Sequence, residues 1–137
     1  MKAAFRGRKP VKYAKGSIMQ RILIVEDDEF LQCMYDDLFS RHGYAFDIAA
    51  GVAEAKQFLV SASYSLIITE FQLRDGTGED FSRLPDKSGN CPSVIVVTSY
   101  PEHESLISSS KRMKFEKCFG KPFDLDALLL ETERLLA

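Results

Sequence analysis

Residues 22–29 read ILIVEDDE, so four apolar residues run directly into four acidic ones. A short apolar run rich in β-branched residues is typical of a strand that is covered on both faces of a sheet. The carboxylates begin where that strand ends. A buried strand that opens into acidic side chains predicts a functional site at the carboxyl edge of a parallel sheet.

The rest of the chain alternates between strand patterns and helix patterns. We predict strands at residues 21–25, 44–49, 66–69, 93–98 and 115–120. We predict helices at residues 30–39, 52–59, 79–84, 101–111 and 125–136. Asp28 and Asp124 stand at N-cap positions, and Gly43 ends the first helix. Alternation of this kind predicts an α/β fold in which helices cover both faces of a doubly wound parallel sheet.

Polar side chains fall at or just past the carboxyl ends of four of these strands. They are Glu26, Asp27, Glu70, Thr98 and Lys121. Because the carboxyl ends of parallel strands meet at one edge of a sheet, we expect these side chains to share one cleft.

The chemistry of this set points to a charged ligand. Glu26 and Asp27 cannot both be buried without a partner, because removing an ionised carboxylate from water costs several kcal/mol. A hard divalent cation relieves this cost, and carboxylate oxygens suit magnesium. The same cation neutralises a transferring phosphoryl group. Lys121 supplies a point charge for a phosphate or carboxylate oxygen, and the Thr98 hydroxyl can donate to that oxygen. The set therefore predicts a cation site or a phosphoryl site.

Four motifs, taken in order, resemble those of response regulator receiver domains, the CheY-like phosphorylation switches. They are ILIVEDD at 22–28, LIITE at 66–70 with Asp75-Gly76, VVTS at 96–99 and KPF at 121–123. The resemblance covers residues 20–137. It implies a flavodoxin-like parallel sheet of five strands in the order 2-1-3-4-5.

The resemblance also implies a role for each residue of the set. Glu26 and Asp27 match the acidic pair that binds Mg²⁺, and Thr98 matches the switch hydroxyl. Lys121, which precedes a proline bond that is often cis in the family, matches the phosphate-sensing lysine. Glu70 falls on the aspartate that accepts the phosphoryl group.

Three positions depart from the family pattern. Glu70 replaces the acceptor aspartate, Arg74 replaces a frequent proline, and Cys118 replaces the switch aromatic. Glu70 reaches about 1.5 Å further than an aspartate, and a misplacement of about 1 Å can slow in-line transfer about 100-fold. Our hypothesis is that Glu70 pairs with Lys121 and imitates the phosphorylated state in part. Mg²⁺ binding in the acidic pocket would then be weakened or lost.

Two other interpretations of Glu70 stay open. One is a solvated acid at the entry of a loop, with no role in signalling. The other is a phosphomimetic substitution of the acceptor aspartate in an otherwise ordinary, phosphoryl-accepting receiver domain. Asp75, five residues further on, is interpreted as a turn residue of an Asp-Gly pair and not as a substitute acceptor.

Charge is unevenly distributed along the 137 residues. Residues 1–21 hold seven of the 18 basic residues and none of the 20 acidic ones. We divide the chain into a basic arm at 1–19, which is a leader, a linker or sequence added for expression, and a receiver domain at 20–137. The arm is short of interleaved aromatic residues and no base-reading motif is visible, which argues against a nucleic-acid partner.

These observations predict a signalling module of a two-component phosphorelay and not an enzyme. The expected partner is a histidine kinase, a phosphotransfer protein or an output protein. The resemblance places the docking surface on the fourth helix, fifth strand and fifth helix, and homodimerisation is left open. No apolar run approaches the roughly 18 residues of a membrane span. Three cysteines without ligand spacing indicate reduced thiols, so we expect a cytoplasmic protein.

Overall fold

The computed structural model describes residues 20–110 and 113–137. The basic arm at 1–19 and the expected helix end at Lys111 therefore lie outside the described residues. The strands are β1 Arg21–Val25, β2 Ala45–Ala49, β3 Leu66–Glu70, β4 Gln72–Leu73, β5 Gly76–Thr77, β6 Ser93–Thr98 and β7 Lys117–Gly120. The α-helices are α1 Glu29–Arg41, α2 Val52–Ser61, α3 Glu104–Ser110 and α4 Leu125–Leu136. None of these described helices is long and apolar enough to cross a membrane.

The main sheet consists of five parallel strands in the order β2-β1-β3-β6-β7. Counted along the chain this is the order 2-1-3-4-5, so the predicted doubly wound sheet is confirmed. The register pairs Val25 with Thr69 and Glu70 with Val97, which brings the ends of β1, β3 and β6 side by side. The strand order reverses between β1 and β3, and ligand sites of such folds form beyond the strand ends at that reversal.

The sheet is covered on both faces. On one face, strand residues pack with Tyr35 of α1 and Leu128 of α4. On the other face, they pack with Ala55 and Leu59 of α2 and with Ile107 of α3. Because both faces are buried, the central strands β1, β3 and β6 consist mainly of apolar residues and do not alternate between apolar and polar ones.

The predicted caps of α1 and α4 are present. Asp28 accepts a hydrogen bond from the backbone N–H of Leu31 (3.0 Å), and Asp124 accepts bonds from the first turn of α4. An N-cap of this kind contributes about 1 kcal/mol to stability. Gly43 has a φ of 76°, the left-handed conformation that ends α1 and that glycine adopts without steric cost.

The helix predicted at 79–84 is wrong. A 3₁₀-helix of three residues, Gly78–Asp80, stands in its place. Thr77 and Asp80 form a capping box around this turn, and Phe81 then leaves helical geometry with a φ of −137°. Pro85 follows Phe81 within about one helical turn. Because proline has no backbone N–H to donate, it would interrupt any helix that continued through this position.

The loop after β3 contains a small hairpin that was not predicted. β4 pairs with β5 in antiparallel register, and Arg74 and Asp75 form the two-residue turn between them. The Asp75 carboxylate accepts hydrogen bonds from the backbone N–H groups of Val52 (2.7 Å) and Ala53 (3.1 Å), so it caps α2 from outside the helix. Gly51, at the N-cap position of α2, has no side chain for this purpose. These hydrogen bonds lower the pKa of the Asp75 carboxyl.

Asp75→Ala is expected to destabilise the domain, because it leaves the first N–H groups of α2 without their acceptor. Asp75→Asn keeps the shape and a weaker acceptor, so it is the matched control with a smaller loss. The folded-state pKa of Asp75 is lowered, so its contribution is present above the ordinary pKa of an aspartate and disappears as the pH falls through the folded-state value. Urea midpoints at neutral and acid pH measure both effects. Equal midpoints for wild type and Asp75→Ala at neutral pH would contradict the capping role.

Candidate functional site

Three chain segments meet beside the carboxyl ends of β1 and β3. Lys121 follows β7, and its Nζ lies 2.8 Å from Glu26 Oε1 and 2.8 Å from Glu70 Oε1. The side chains of Glu26 and Glu70 are 2% and 7% exposed, and that of Lys121 is 15% exposed. One ammonium therefore bridges two buried carboxylates across the edge of the sheet. The peptide bond from Lys121 to Pro122 is cis.

The second oxygen of each bridged carboxylate is bound by the backbone. Glu26 Oε2 accepts a hydrogen bond from the N–H of Asp28 (3.1 Å). Glu70 Oε2 accepts one from the N–H of Gln72 (3.2 Å). In both bonds the donor is the backbone N–H two residues after the acid. Each carboxylate therefore contacts the segment that follows its own strand.

Asp27 is half-buried and is held by a different group. Its Oδ2 accepts a hydrogen bond from the backbone N–H of Arg74 (3.1 Å), in the turn of the β4–β5 hairpin. All three acidic residues of the predicted pocket thus have a partner within the protein.

The charges of the site perturb one another. Burial raises the pKa of Glu26, and the hydrogen bond and charge of Lys121 offset only part of this effect. For Lys121, burial opposes the charged form, but the hydrogen bonds and charges of Glu26 and Glu70 prevail and raise its pKa. In the buried Tyr35 of α1, burial and then the negative charges of Glu26 and Glu70 raise the pKa of the phenol. One ammonium among three carboxylates leaves the site negative.

Thr98 ends β6, and Cys118 lies on the neighbouring strand β7. The carbonyl of Thr98 accepts a hydrogen bond from the backbone N–H of Lys121 (2.8 Å), and its Oγ1 accepts one from the N–H of Tyr100 (3.1 Å). Thr98 is therefore joined to the lysine through the backbone. Cys118 is half-buried on β7 against the cluster beneath α2 and α3. Burial, followed by the charges of Glu104 and Glu70, raises the pKa of the Cys118 thiol to about 11.

Gln32 supports the site and was not singled out by sequence patterns. It lies on α1, is buried, and its Nε2 donates to the carbonyl of Glu26 at 2.6 Å. The available signal was a polar residue three positions before Tyr35, on the apolar side of the helix. The backbone N–H groups of Gln72 and Arg74 carry no such signal, because nearly every residue type has one.

The acidic side chains do not form a ready metal cage. Glu26, Asp27 and Glu70 offer the oxygen atoms that a hard cation prefers. However, within residues 20–110 and 113–137 no group of three or more His, Cys, Asp or Glu side chains is arranged to hold a metal ion. The pocket has carboxylate oxygens that suit a metal ion, but these oxygens accept hydrogen bonds from Lys121 and from backbone N–H groups.

A family comparison decides what kind of domain this is. The family model described as "Response regulator receiver domain" matches residues 22–133. The chain belongs to the response regulator receiver domain family. It is therefore a receiver domain of the kind found in two-component systems, and the resemblance drawn from the four sequence motifs is confirmed.

Curated relatives agree with this assignment. The transcriptional regulatory protein PmrA of Pectobacterium parmentieri is 30% identical over 116 residues, which cover 85% of this chain and 52% of that protein. The sporulation initiation phosphotransferase F of Bacillus subtilis is 25% identical over 109 residues, which cover 80% of this chain and 87% of that protein. The receiver domain thus spans about half the length of the first relative and most of the second.

Solved structures show the same fold. The response regulator protein TrrA of Thermotoga maritima, solved in complex with Mg²⁺-BeF, matches with a TM-score of 0.72 and 25% identity, over 85% of this chain and 99% of that one. A CheY-like receiver domain protein of Methanospirillum hungatei matches with a TM-score of 0.73 and 26% identity, over 85% of this chain and 93% of that one.

Lys121→Met removes the ammonium and leaves two buried carboxylates without a counter-charge. Removing one partner of a buried ion pair costs about 3 kcal/mol or more, so we expect the free energy of unfolding to fall by about 3 kcal/mol in urea denaturation. The double variant Lys121→Met/Glu70→Gln removes one stranded charge and is expected to recover part of the loss. Lys87→Met, at an exposed lysine, is the matched control. A Lys121→Met protein as stable as this control would show that the bridge contributes nothing.

Proposed function

We propose that this receiver domain is a signalling module whose acceptor site is biased by its own ion pair and does not depend on phosphorylation. The observation that supports the proposal is the 2.8 Å contact between Lys121 Nζ and Glu70 Oε1. Lys121 matches the lysine that senses phosphate in the family. In this chain a carboxylate oxygen of Glu70 lies where that lysine can bind it without any phosphoryl group.

Glu70 is a poor acceptor for geometric reasons. An acceptor oxygen has to approach the phosphorus in line, and transfer is sensitive to placement. One oxygen of Glu70 is bound by Lys121, and the other accepts a hydrogen bond from Gln72. The side chain is also longer than that of aspartate by one carbon–carbon bond, about 1.5 Å. Both effects slow phosphoryl transfer.

The ion pair imitates phosphorylation only in part. Glu70 carries one negative charge, whereas a phosphate group carries roughly −1.5 to −2. Lys121 also divides its hydrogen bonds between Glu70 and Glu26. The expected consequence is a shifted equilibrium between conformations and not a locked state.

Weak Mg²⁺ binding belongs to the same proposal. Glu26, Asp27 and Glu70 would hold the ion, and its charge would neutralise an incoming phosphoryl group. To reach the ion, Glu26 and Glu70 each have to give up an existing contact, either with Lys121 at 2.8 Å or with a backbone N–H. We regard the pocket as that of a phosphoryl acceptor, formed by Glu26, Asp27, Thr98 and Lys121. In this pocket residue 70 determines whether a phosphoryl group is accepted.

The proposed partner is a protein, namely a histidine kinase, a phosphotransfer protein or an output protein. The surface expected to dock it is formed here by α3, β7 and α4. Leu106 on α3 and Leu130 on α4 are 67% and 68% exposed, and they offer apolar area for docking a partner or a second copy. Cys91 and Cys118 are free thiols, which suits the proposed cytoplasmic location.

The first test offers acetyl phosphate and Mg²⁺ to wild type and to Glu70→Asp, with incorporation followed by intact mass. Wild type is expected to gain a phosphoryl group about 100-fold more slowly than Glu70→Asp, because its acceptor oxygen is misplaced and bound. Glu70→Gln controls for labelling elsewhere and is expected to stay unlabelled. Labelling of wild type at the rate of Glu70→Asp would overturn the proposal.

The second test asks whether Glu70 biases the conformation. Backbone amide shifts of β6 and β7 are compared among wild type, Glu70→Ala, and Glu70→Asp with and without Mg²⁺ and beryllofluoride. The chemical shifts of wild type are expected to differ from those of Glu70→Ala and to move toward those of Glu70→Asp with bound beryllofluoride. The reason is that Lys121 is bound to a negative group both in wild type and in the beryllofluoride complex. Coincidence of wild type with Glu70→Ala would show that the ion pair exerts no bias.

A further inference from the structure

The third acidic residue of the site is held by the hairpin and not by the lysine. Asp27 Oδ2 accepts a hydrogen bond from the backbone N–H of Arg74 at 3.1 Å, between residues 47 positions apart in the chain. Arg74 is the first residue of the two-residue turn that joins β4 and β5. This bond therefore fastens the tip of the hairpin to the edge of the acidic pocket.

The turn is fixed from its other side as well. Asp75, the next residue, binds the N–H groups at the start of α2 at 2.7 and 3.1 Å. At the base of the hairpin, the N–H of Gly78 donates to the carbonyl of Phe71 at 2.9 Å. Because these contacts hold the turn in place, the N–H of Arg74 is directed at Asp27 without further ordering of the chain.

A cation that coordinates Oδ2 of Asp27 has to compete with this donor. A hydrogen bond to an ionised carboxylate is stronger than one between neutral groups. Moving Oδ2 to a cation removes that bond and leaves the N–H of Arg74 without its acceptor. The side chain of Arg74 takes no part in the hydrogen bond, which is made by the backbone alone.

We propose that the backbone N–H at position 74 is a second determinant, beside Glu70, of how strongly this pocket binds a divalent cation. Position 74 acts through Asp27 as a positioning residue. Among the amino acids only proline lacks the backbone N–H. The cation affinity of the pocket therefore depends on whether residue 74 has an N–H to donate, and not only on the charge of its side chain. The inference rests on the proposed function for the assignment of the acidic pocket.

The test compares two variants in a Glu70→Asp background, which frees the pocket from the longer acid. Arg74→Pro and Arg74→Ala both remove the guanidinium, but only Arg74→Pro removes the N–H. Mg²⁺ is titrated into each protein by calorimetry. We expect Arg74→Pro to bind Mg²⁺ about tenfold more tightly than Arg74→Ala, as one charge-assisted hydrogen bond implies. Equal affinities in two folded proteins would overturn the inference.

A second measurement does not depend on how well the proline variant folds. In Glu70→Asp alone, amide hydrogen exchange is followed at Arg74 with and without saturating Mg²⁺. Exchange at Arg74 is expected to speed up about tenfold when Mg²⁺ takes Asp27. The amide of Val52, which is bound to Asp75, is the internal control and is expected to stay constant. Unchanged protection of Arg74 at saturation would contradict the competition.

The outcomes separate this inference from the function on which it rests. Rapid phosphorylation of wild type would overturn the proposed function and leave the difference between Arg74→Pro and Arg74→Ala intact. Equal Mg²⁺ affinities of those two variants would overturn the role of position 74 and leave the pairing of Glu70 with Lys121 intact.

Discussion

The bridge from Lys121 to Glu26 and Glu70 is the interaction on which the site depends. Each of the three side chains is charged and largely buried, and each would be costly without the others. The direction of the pKa shifts shows how the balance falls. Burial prevails at Glu26, whereas the neighbouring carboxylates prevail at Lys121. The lysine is therefore held firmly in its charged form, and the carboxylates compete for it.

The fold supplies the positions and the loops supply the hydrogen bonds. Parallel strands in the order β2-β1-β3-β6-β7 bring Glu26 and Glu70 to one edge. The segments that follow the strands then provide backbone donors for the acids, at Asp28 and in the β4–β5 hairpin. Each acid of the pocket is thus bound by its own chain. A ligand that enters the pocket has to replace existing contacts and not fill a vacancy.

The architecture could be predicted from the sequence because its signals are local. Apolar runs, helical spacing and the caps at Asp28 and Asp124 are each contained within a few residues. The helix predicted at 79–84 was wrong because its polar and apolar spacing did not reveal the capping box at Thr77 or the break at Phe81. The pairing of strand ends followed from topology, so Glu26, Glu70 and Lys121 were expected in one cleft. The partners of Asp27 and Asp75 are backbone N–H groups brought near by tertiary structure, and residue type does not encode them.

The cap on α2 links two positions that are far apart in the sequence. Gly51 leaves the start of this helix without a side-chain acceptor, and Asp75 supplies one from the hairpin. In a related chain, a serine or aspartate at position 51 would accept these hydrogen bonds from within the N-cap. An acceptor at position 75 would then not be needed. A side chain at 51 would also crowd the carboxylate of Asp75, since an added Cβ lies 2.6 Å from its Oδ1. The two positions are therefore expected to covary during the divergence of this lineage.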